Sequence, residues 1–345
     1  MMETFLTIEL GTWMFLVVGA VFSGYAILDG FDLGAGTVHL FLKEEQSRRK
    51  ALNAIGPVWD GNEVWLVIGG GTLFAGFPKV YATLLSAFYT PFILFLVFLI
   101  LRAIAIEFRS KETMLWWRKL WDITYSVSST LVGFTLGVVL GNVVRGIAID
   151  GNMIFKGNLL DIFNPYALLT GLTVVALFAL HGSVYLVMKT DEKLSDRLAD
   201  ISKIAGLLFT ICYVTLSIAT LVYVPHAAEE FKEMPILFLI PVVTLLLLLN
   251  ERRLIVKKKY WLAFLTSATL TSLLLVTIAI GLYPNILIST IDSAFSLTIS
   301  NSAASPKSLG IILTFVMIGA PLVLLYTLFL FRTFRGKVVL DDMSY

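Results

Sequence analysis

The chain has one cysteine, Cys212, set in an apolar run. Disulfides, paired-cysteine metal sites and CxxCH haem attachment are therefore excluded. Charge is also scarce: 14% of the 345 residues are Asp, Glu, Lys or Arg, against 58% hydrophobic residues and a mean hydropathy of +0.87. No sizeable soluble domain can be built from what is left, and the composition is that of an all-α polytopic membrane protein. There is no nucleophile triad, no glycine-rich nucleotide loop and no carboxylate–histidine metal cluster. A net charge of +2 gives no reason to expect a nucleic-acid partner. No repeat of 20 to 50 residues is visible.

What the sequence does contain is apolar runs of bilayer length. Nine crossings can be drawn, at 12–42, 53–77, 80–108, 122–144, 165–188, 203–224, 235–250, 260–283 and 308–331. With the N-terminus outside, every Lys and Arg falls on an inner loop or the C-terminal tail except Lys79, Arg145, Lys156, Lys232 and Lys307 on outer loops and Arg102 within a helix. That asymmetry sets an outside N-terminus and a cytoplasmic C-terminus. The first apolar run lacks a basic leader and is expected to remain as the first helix. Asp150-Gly151 between short apolar strings predicts a hairpin. Asn164-Pro165 predicts an N-cap followed by a first-turn proline. Pro235 and Pro241 predict a kinked seventh helix, and the apolar stretch 285–305 reads as interfacial. Gly30, Gly34 and Gly36, and likewise Gly69 to Gly71, read as sites of close helix packing.

The stretch 55–77, IGPVWDGNEVWLVIGGGTLFAGF, is the informative one because it has the length of a crossing yet carries Asp60 and Glu63. Basic clusters stand on both sides: Lys43, Arg48, Arg49 and Lys50 before it, and Arg109, Lys111, Arg118 and Lys119 after the uncharged run 80–101. If both clusters face the cytoplasm, the chain between them crosses twice. Residues 66–77 make only about 18 Å of helix, so the helix must start before Asp60. Counting from inner ends near Leu42, Asn53 and Phe108 puts Asp29 about 20 Å in, Asp32 and Glu63 about 15 Å, Asp60 about 10 Å and Arg102 about 9 Å.

Four carboxylates and one guanidinium then share the inner half of the bilayer. Each is disfavoured there by about 2.5–3.5 kcal/mol, which makes them functional candidates with partners. Arg102 is the expected charge partner, able to grip one carboxylate with two hydrogen bonds. The others are free to carry protons, with Asp60 the leading candidate, because Trp59 and Gly61 flank it and the small glycine leaves room for water. Bland readings stand beside this one: Arg102 snorkelling to headgroups, Asp32 exposed at a helix end, Asp29 and Glu63 only fixing helix register. Among the histidines, His181 alone lies inside a crossing, and it is read as a hydrogen-bonded packing residue, not a haem ligand. Trp116 and Trp117 beside Arg118 read as an interfacial anchor. The residues alone leave open a proton-handling subunit of a larger complex, an autonomous proton-coupled transporter, and a purely structural membrane partner.

Several strings narrow the choice. Leu28-Asp29-Gly30-Phe31-Asp32-Leu33-Gly34, Gly56-Pro57-Val58-Trp59-Asp60-Gly61-Asn62-Glu63-Val64-Trp65, Phe77-Pro78, Tyr81-Ala82 and Glu107-Phe108-Arg109 resemble subunit II of the cytochrome bd quinol oxidases. So do Gly141-Asn142-Val143-Val144-Arg145-Gly146, Asn164-Pro165-Tyr166-Ala167-Leu168, His181-Gly182 and Leu297-Thr298-Ile299, and the likeness runs from about residue 15 to 325. The resemblance implies two four-helix bundles (1–144, with the charged layer, and 145–283), then an interfacial segment, a ninth helix and a cytoplasmic tail over 284–345, all in one integral-membrane domain, 1–345. It implies a bacterial or archaeal cell-membrane location and a respiratory terminal oxidase, with a homologous subunit I as partner and in some members a small third subunit. Subunit I is implied to hold two b-type haems and haem d, or a third b-type haem. It would oxidise quinol and reduce dioxygen to water with cytoplasmic protons. This chain would hold no catalytic residue, metal or haem. It would support haem assembly and a proton path, and in some members an oxygen route or a structural quinone. Asp60 matches the family's proton-path aspartate; Asp29, Glu63 and Arg102 match other buried polar positions, with Asp32, Trp59, Asn62 and Trp65 as further polar candidates.

Overall fold

The computed structural model describes residues 4–5 and 8–340; the ends of the regions drawn as 1–144 and 284–345 lie outside the described residues. Strands β1 (Thr4–Phe5) and β2 (Ile8–Glu9) pair antiparallel and lead into α1 (Leu10–Val38). Then come α2 (Glu45–Ile55), α3 (Trp59–Gly76), α4 (Pro78–Ala87), α5 (Tyr89–Phe108) and α6 (Leu115–Arg145). The second half holds short α7 (Leu159–Ile162), long α8 (Pro165–Lys189) and α9 (Glu192–Tyr223), short α10 (Glu229–Glu233), then α11 (Leu239–Val256) and α12 (Tyr260–Leu282). Strands β3 (Asn285–Leu287) and β4 (Leu297–Thr298), a turn of helix α13 (Ile299–Ser302) and α14 (Pro306–Thr333) complete the chain. Among the described residues, eight helical stretches are long and apolar enough to cross a membrane; α3, drawn as the second crossing, is not one of them, because its apolar run is interrupted by Asp60, Asn62 and Glu63.

Two drawn crossings are broken. The 53–77 span divides at Gly56–Val58 into α2 and α3, where Pro57 interrupts the run. The 80–108 span divides at Phe88 into α4 and α5. Pro91 explains the second break: it has no N–H for the Ala87 carbonyl, and its ring would clash with that carbonyl in a continuous helix. Both prolines of the seventh helix stand near its start. Pro235 opens a 3-10 turn and Pro241 sits in the first turn of α11, where a missing N–H costs nothing. That helix runs on to Val256, six residues beyond the drawn end.

Other local expectations hold. Asn164 accepts a hydrogen bond from the Ala167 amide at 3.0 Å, capping α8 in front of Pro165. The Asp150 hairpin closes through Ile149 and Phe155, with the Asp150 carboxylate accepting from the amides of Asn152 and Ile154 and Met153 at φ 64°. The stretch 285–305 forms the β3–β4 hairpin, which joins the Asp150 hairpin through Ile147 to Ile288 and Thr290. Together they make a small cap at the end of the helices where α6 terminates at Gly146, φ 91°.

Helices α1 and α8 lie at the centre. Each packs against α6 and α12 and against the other, with α3 on the far side of α1 and α9 beside α8. They cross in backbone contact. A Cβ on Gly34 would sit 1.7 Å from the Phe178 carbonyl oxygen, and one on Gly182 would sit 2.4 Å from the backbone of Gly34 and Ala35. Around the crossing, Phe31 stacks on Tyr185 at 4.0 Å between ring centres. The glycine reading holds for Gly30, Gly34 and Gly36 and for Gly69, which faces Phe22; Gly70 and Gly71 have nothing within 4 Å and pack against nothing.

Candidate functional site

One turn of α1 before that crossing, Asp29 and Asp32 are both fully buried. Helix α5 brings Arg102, also fully buried, and the first turns of α3 bring Asn62 and Glu63. Arg102 Nη2 donates to Asp29 Oδ1 at 2.8 Å, and Nη1 donates to Glu63 Oε2 at 3.3 Å. The fork is thus shared between two carboxylates; the expected two-pronged grip on one does not form. Asp32 accepts from Asn62 Nδ2 at 2.8 Å, and the same amide reaches the Leu28 carbonyl at 3.3 Å. Asp32 is therefore no exposed helix-end charge, and Arg102 does not snorkel.

Hydrogen bonding in this layer is incomplete. Asp29 Oδ2, Asp32 Oδ1 and Arg102 Nε are buried without a hydrogen-bond partner, and the Tyr25 hydroxyl approaches Asp29 without meeting hydrogen-bond geometry. Trp59 lies beneath the guanidinium, 6.0 Å from ring centre to Arg102 Cζ. Trp65 packs on α1 at Gly24, where a Cβ would meet its ring at 2.6 Å.

Asp60 is placed differently from the counted depth. Helix α3 starts at Trp59, not near Asn53, so Asp60 stands in the first turn and Glu63 only about 6 Å from the helix start. Asp60 is exposed and makes no hydrogen bond or ion pair among the described residues, and the Cβ position of its neighbour Gly61 is open. The layer therefore has an exposed acid at the end of α3, a half-buried one a turn further in, and two buried ones behind it.

A second cluster, which sequence reasoning did not assemble, lies at the same end of the helices. Asp122 on α6 is buried and accepts from Arg109 Nε (2.5 Å), Arg48 Nη1 (2.9 Å) and Arg109 Nη2 (3.3 Å), with His39 Nε2 at 2.6 Å. Glu45 accepts from Arg109 at 2.9 Å and from Arg118 at 3.2 Å. Three of the basic residues that marked the loops as inner, Arg48, Arg109 and Arg118, are here committed to holding α2, α5 and α6 together.

His181 is a hydrogen-bonded packing residue. Its Nε2 lies 3.0 Å from the Ile27 carbonyl, an acceptor only, so that nitrogen carries the proton; Nδ1 lies 2.7 Å from Ser267 Oγ. It joins α8 and α12 to α1 two residues before Asp29. Glu251 was missed as well: α11 buries it, and both its oxygens lack a partner. Trp117 donates to the Phe108 carbonyl while Trp116 stays exposed, as an anchor would.

Comparison with known proteins gives a consistent picture. The family model for cytochrome bd terminal oxidase subunit II matches residues 10–334. The cytochrome bd ubiquinol oxidase subunit 2 of Bacillus subtilis is 33% identical over 326 residues, covering 94% of this chain and 95% of that protein. The cytochrome bd-I ubiquinol oxidase subunit 2 of Escherichia coli K12 is 30% identical over 360 residues, covering 95% of each. Among solved structures, a chain of the bd oxidase from Geobacillus thermodenitrificans superposes with a TM-score of 0.77 at 19% identity, over 94% of this chain and 98% of that one, which shows a shared fold.

Proposed function

Because the chain belongs to the cytochrome bd terminal oxidase subunit II family, we propose that its acidic layer carries protons from the cytoplasmic face toward a haem-bearing subunit I. The chain is a multi-pass membrane subunit of a quinol:oxygen oxidoreductase. In this reading α3 supplies the ninth crossing, and α1, α3, α5 and α6 form one four-helix bundle and α8, α9, α11 and α12 the other. The N-terminus is outside and the C-terminus inside. The haems belong to subunit I, which performs the quinol and dioxygen chemistry. This chain's residues hold and move protons.

The observation that carries the reading is the ratio in the layer: one guanidinium against Asp29, Asp32 and Glu63. Arg102 balances one unit of charge and cannot lose its proton. Electroneutrality in an apolar surround then asks for two protons on the remaining carboxyls. Protons held for charge balance, with buried carboxyl oxygens left free of other donors, can be exchanged. Asp60 is the entry, exposed where water reaches α3, and Glu63 is the next group inward. Asn62 and Trp59 hold Asp32 and Arg102 in place and take no proton themselves.

Asp60→Asn tests this. In the purified complex with its full haem content, oxygen uptake and membrane-potential generation should fall together, about a hundredfold, the low end of what a positioned proton-transfer group supplies. Wild-type values of both in that variant would refute the proton role and leave a structural subunit. The transporter reading loses its footing with the family assignment, and it would return only if the native protein purified without a haem-bearing second chain.

A further inference from the structure

A cleft of about 280 Å³ opens beside the Asp122 cluster, between the end of α1, the start of α2 and the first turns of α6. Its wall carries Glu45, Arg48, Arg118, Lys119 and Asp122. Its lip is apolar and exposed, made by Leu40, Leu115 and Ile123. Both carboxylates are already engaged, Asp122 by Arg48 and Arg109 and Glu45 by Arg109 and Arg118. Four full cations thus face two carboxylates. Lys119 is exposed and has no ion pair among the described residues, and Arg109 Nη1 is buried behind the cleft without an acceptor.

A ligand that fits must carry negative charge at one end and hydrocarbon at the other. Below the lip the exposed face of α6 continues apolar through Ile123 and Val127, on helices long and apolar enough to lie in lipid. We infer that the cleft seats the phosphate of an anionic phospholipid of the inner leaflet, headgroup against Arg118 and Lys119, acyl chains along α6. Clustered Lys and Arg at the cytoplasmic ends of membrane helices attract anionic headgroups, each cation strengthening the attraction about fivefold. The positive excess is local. A free anion would satisfy the charge but would leave the apolar lip unused. The site does not depend on the proton reading, only on the chain spanning the membrane with this end of the helices inside.

The test is native mass spectrometry of the delipidated wild-type complex titrated with phosphatidylglycerol or with phosphatidylcholine. Phosphatidylglycerol should bind preferentially. Lys119→Gln should weaken it about fivefold, Lys119→Arg should restore it, and Lys257→Gln, at the C-cap of α11, should leave it unchanged. Lys119 holds no other group in place, so loss of folding does not confuse the result. Equal binding of the two lipids, or an unchanged affinity in Lys119→Gln, would overturn the inference. So would inorganic phosphate displacing the lipid at equal concentration, which would mark a free-anion site. A photo-crosslinker at position 115 that captures the partner subunit in place of lipid would also overturn it, by making the face a protein interface.

Discussion

Two buried charge clusters sit a few turns apart at one end of this molecule, and their stoichiometries are opposite. Around Asp122, guanidiniums outnumber carboxylates and one carboxylate receives three arginine bonds and a histidine contact. Around Arg102, carboxyls outnumber the single cation and two of their oxygens receive nothing. Arginine cannot give up its proton, so the surplus of guanidiniums gives the first cluster a fixed positive charge that grips Asp122, and it serves as a staple. Carboxyls can take protons, so the second has several states, as the proposed proton role requires. Buried charge marks both regions; the ratio of fixed cations to titratable acids separates them.

The contrast can be broken by substitution. Asp122→Asn takes from the buried Arg109 and the half-buried Arg48 the carboxylate they share, leaving only Glu45 for Arg109, and should cost the most, about 3–5 kcal/mol. Little assembled complex should survive, read as yield and apparent melting temperature. Arg102→Gln should cost less, about 1–3 kcal/mol, because it removes hydrogen bonds to Asp29 and Glu63 and strands no buried cation. If Arg102→Gln proved the more damaging of the two, the distinction between staple and exchanger would collapse. His181→Leu, which strips the Ile27 carbonyl of its partner, should cost about 1 kcal/mol. His181→Gln, which keeps an N–H donor, should recover much of that in the same melting assay.

The smallest effect is expected at the surface pair of Lys50 and Asp191. The Lys50 ammonium, and after it the Leu194 amide, hold the Asp191 carboxyl below the usual carboxylate range. The lowered value means that the pair's contribution is present above about pH 4 and is lost as pH falls through the lowered value. With Asp191 about half exposed, solvent screens it to a few tenths of a kcal/mol. Asp191→Asn should therefore leave the melting temperature at neutral pH almost unchanged and slightly flatten its fall in acid.

Much of the deep layer was legible because apolar sequence makes every charge conspicuous: Asp29, Asp32, Glu63 and Arg102 stand out from their surroundings and meet in space. Asp60 was legible as an acid but not as to depth, since Pro57 resets where the helix begins and periodicity does not register that. The Asp122 cluster was hidden by its usefulness elsewhere. Arg48, Arg109 and Arg118 had been accounted for by topology, and Asp122 had been drawn as a helix start when α6 in fact begins seven residues earlier. A signal was there: Asp122, Tyr125, Ser126 and Ser129 recur at helical spacing, a polar stripe where a lipid-facing helix would have none. Glu251 escaped in the same way, one residue beyond a crossing drawn too short, on the buried stripe Thr244, Leu248, Glu251 and Ile255.

Where α1 and α8 touch at Gly34 and Gly182, no side chain lies between them to act as a cushion. A larger side chain at either position would have to push the two helices apart, and with α1 would move the two aspartates that α8 itself does not carry.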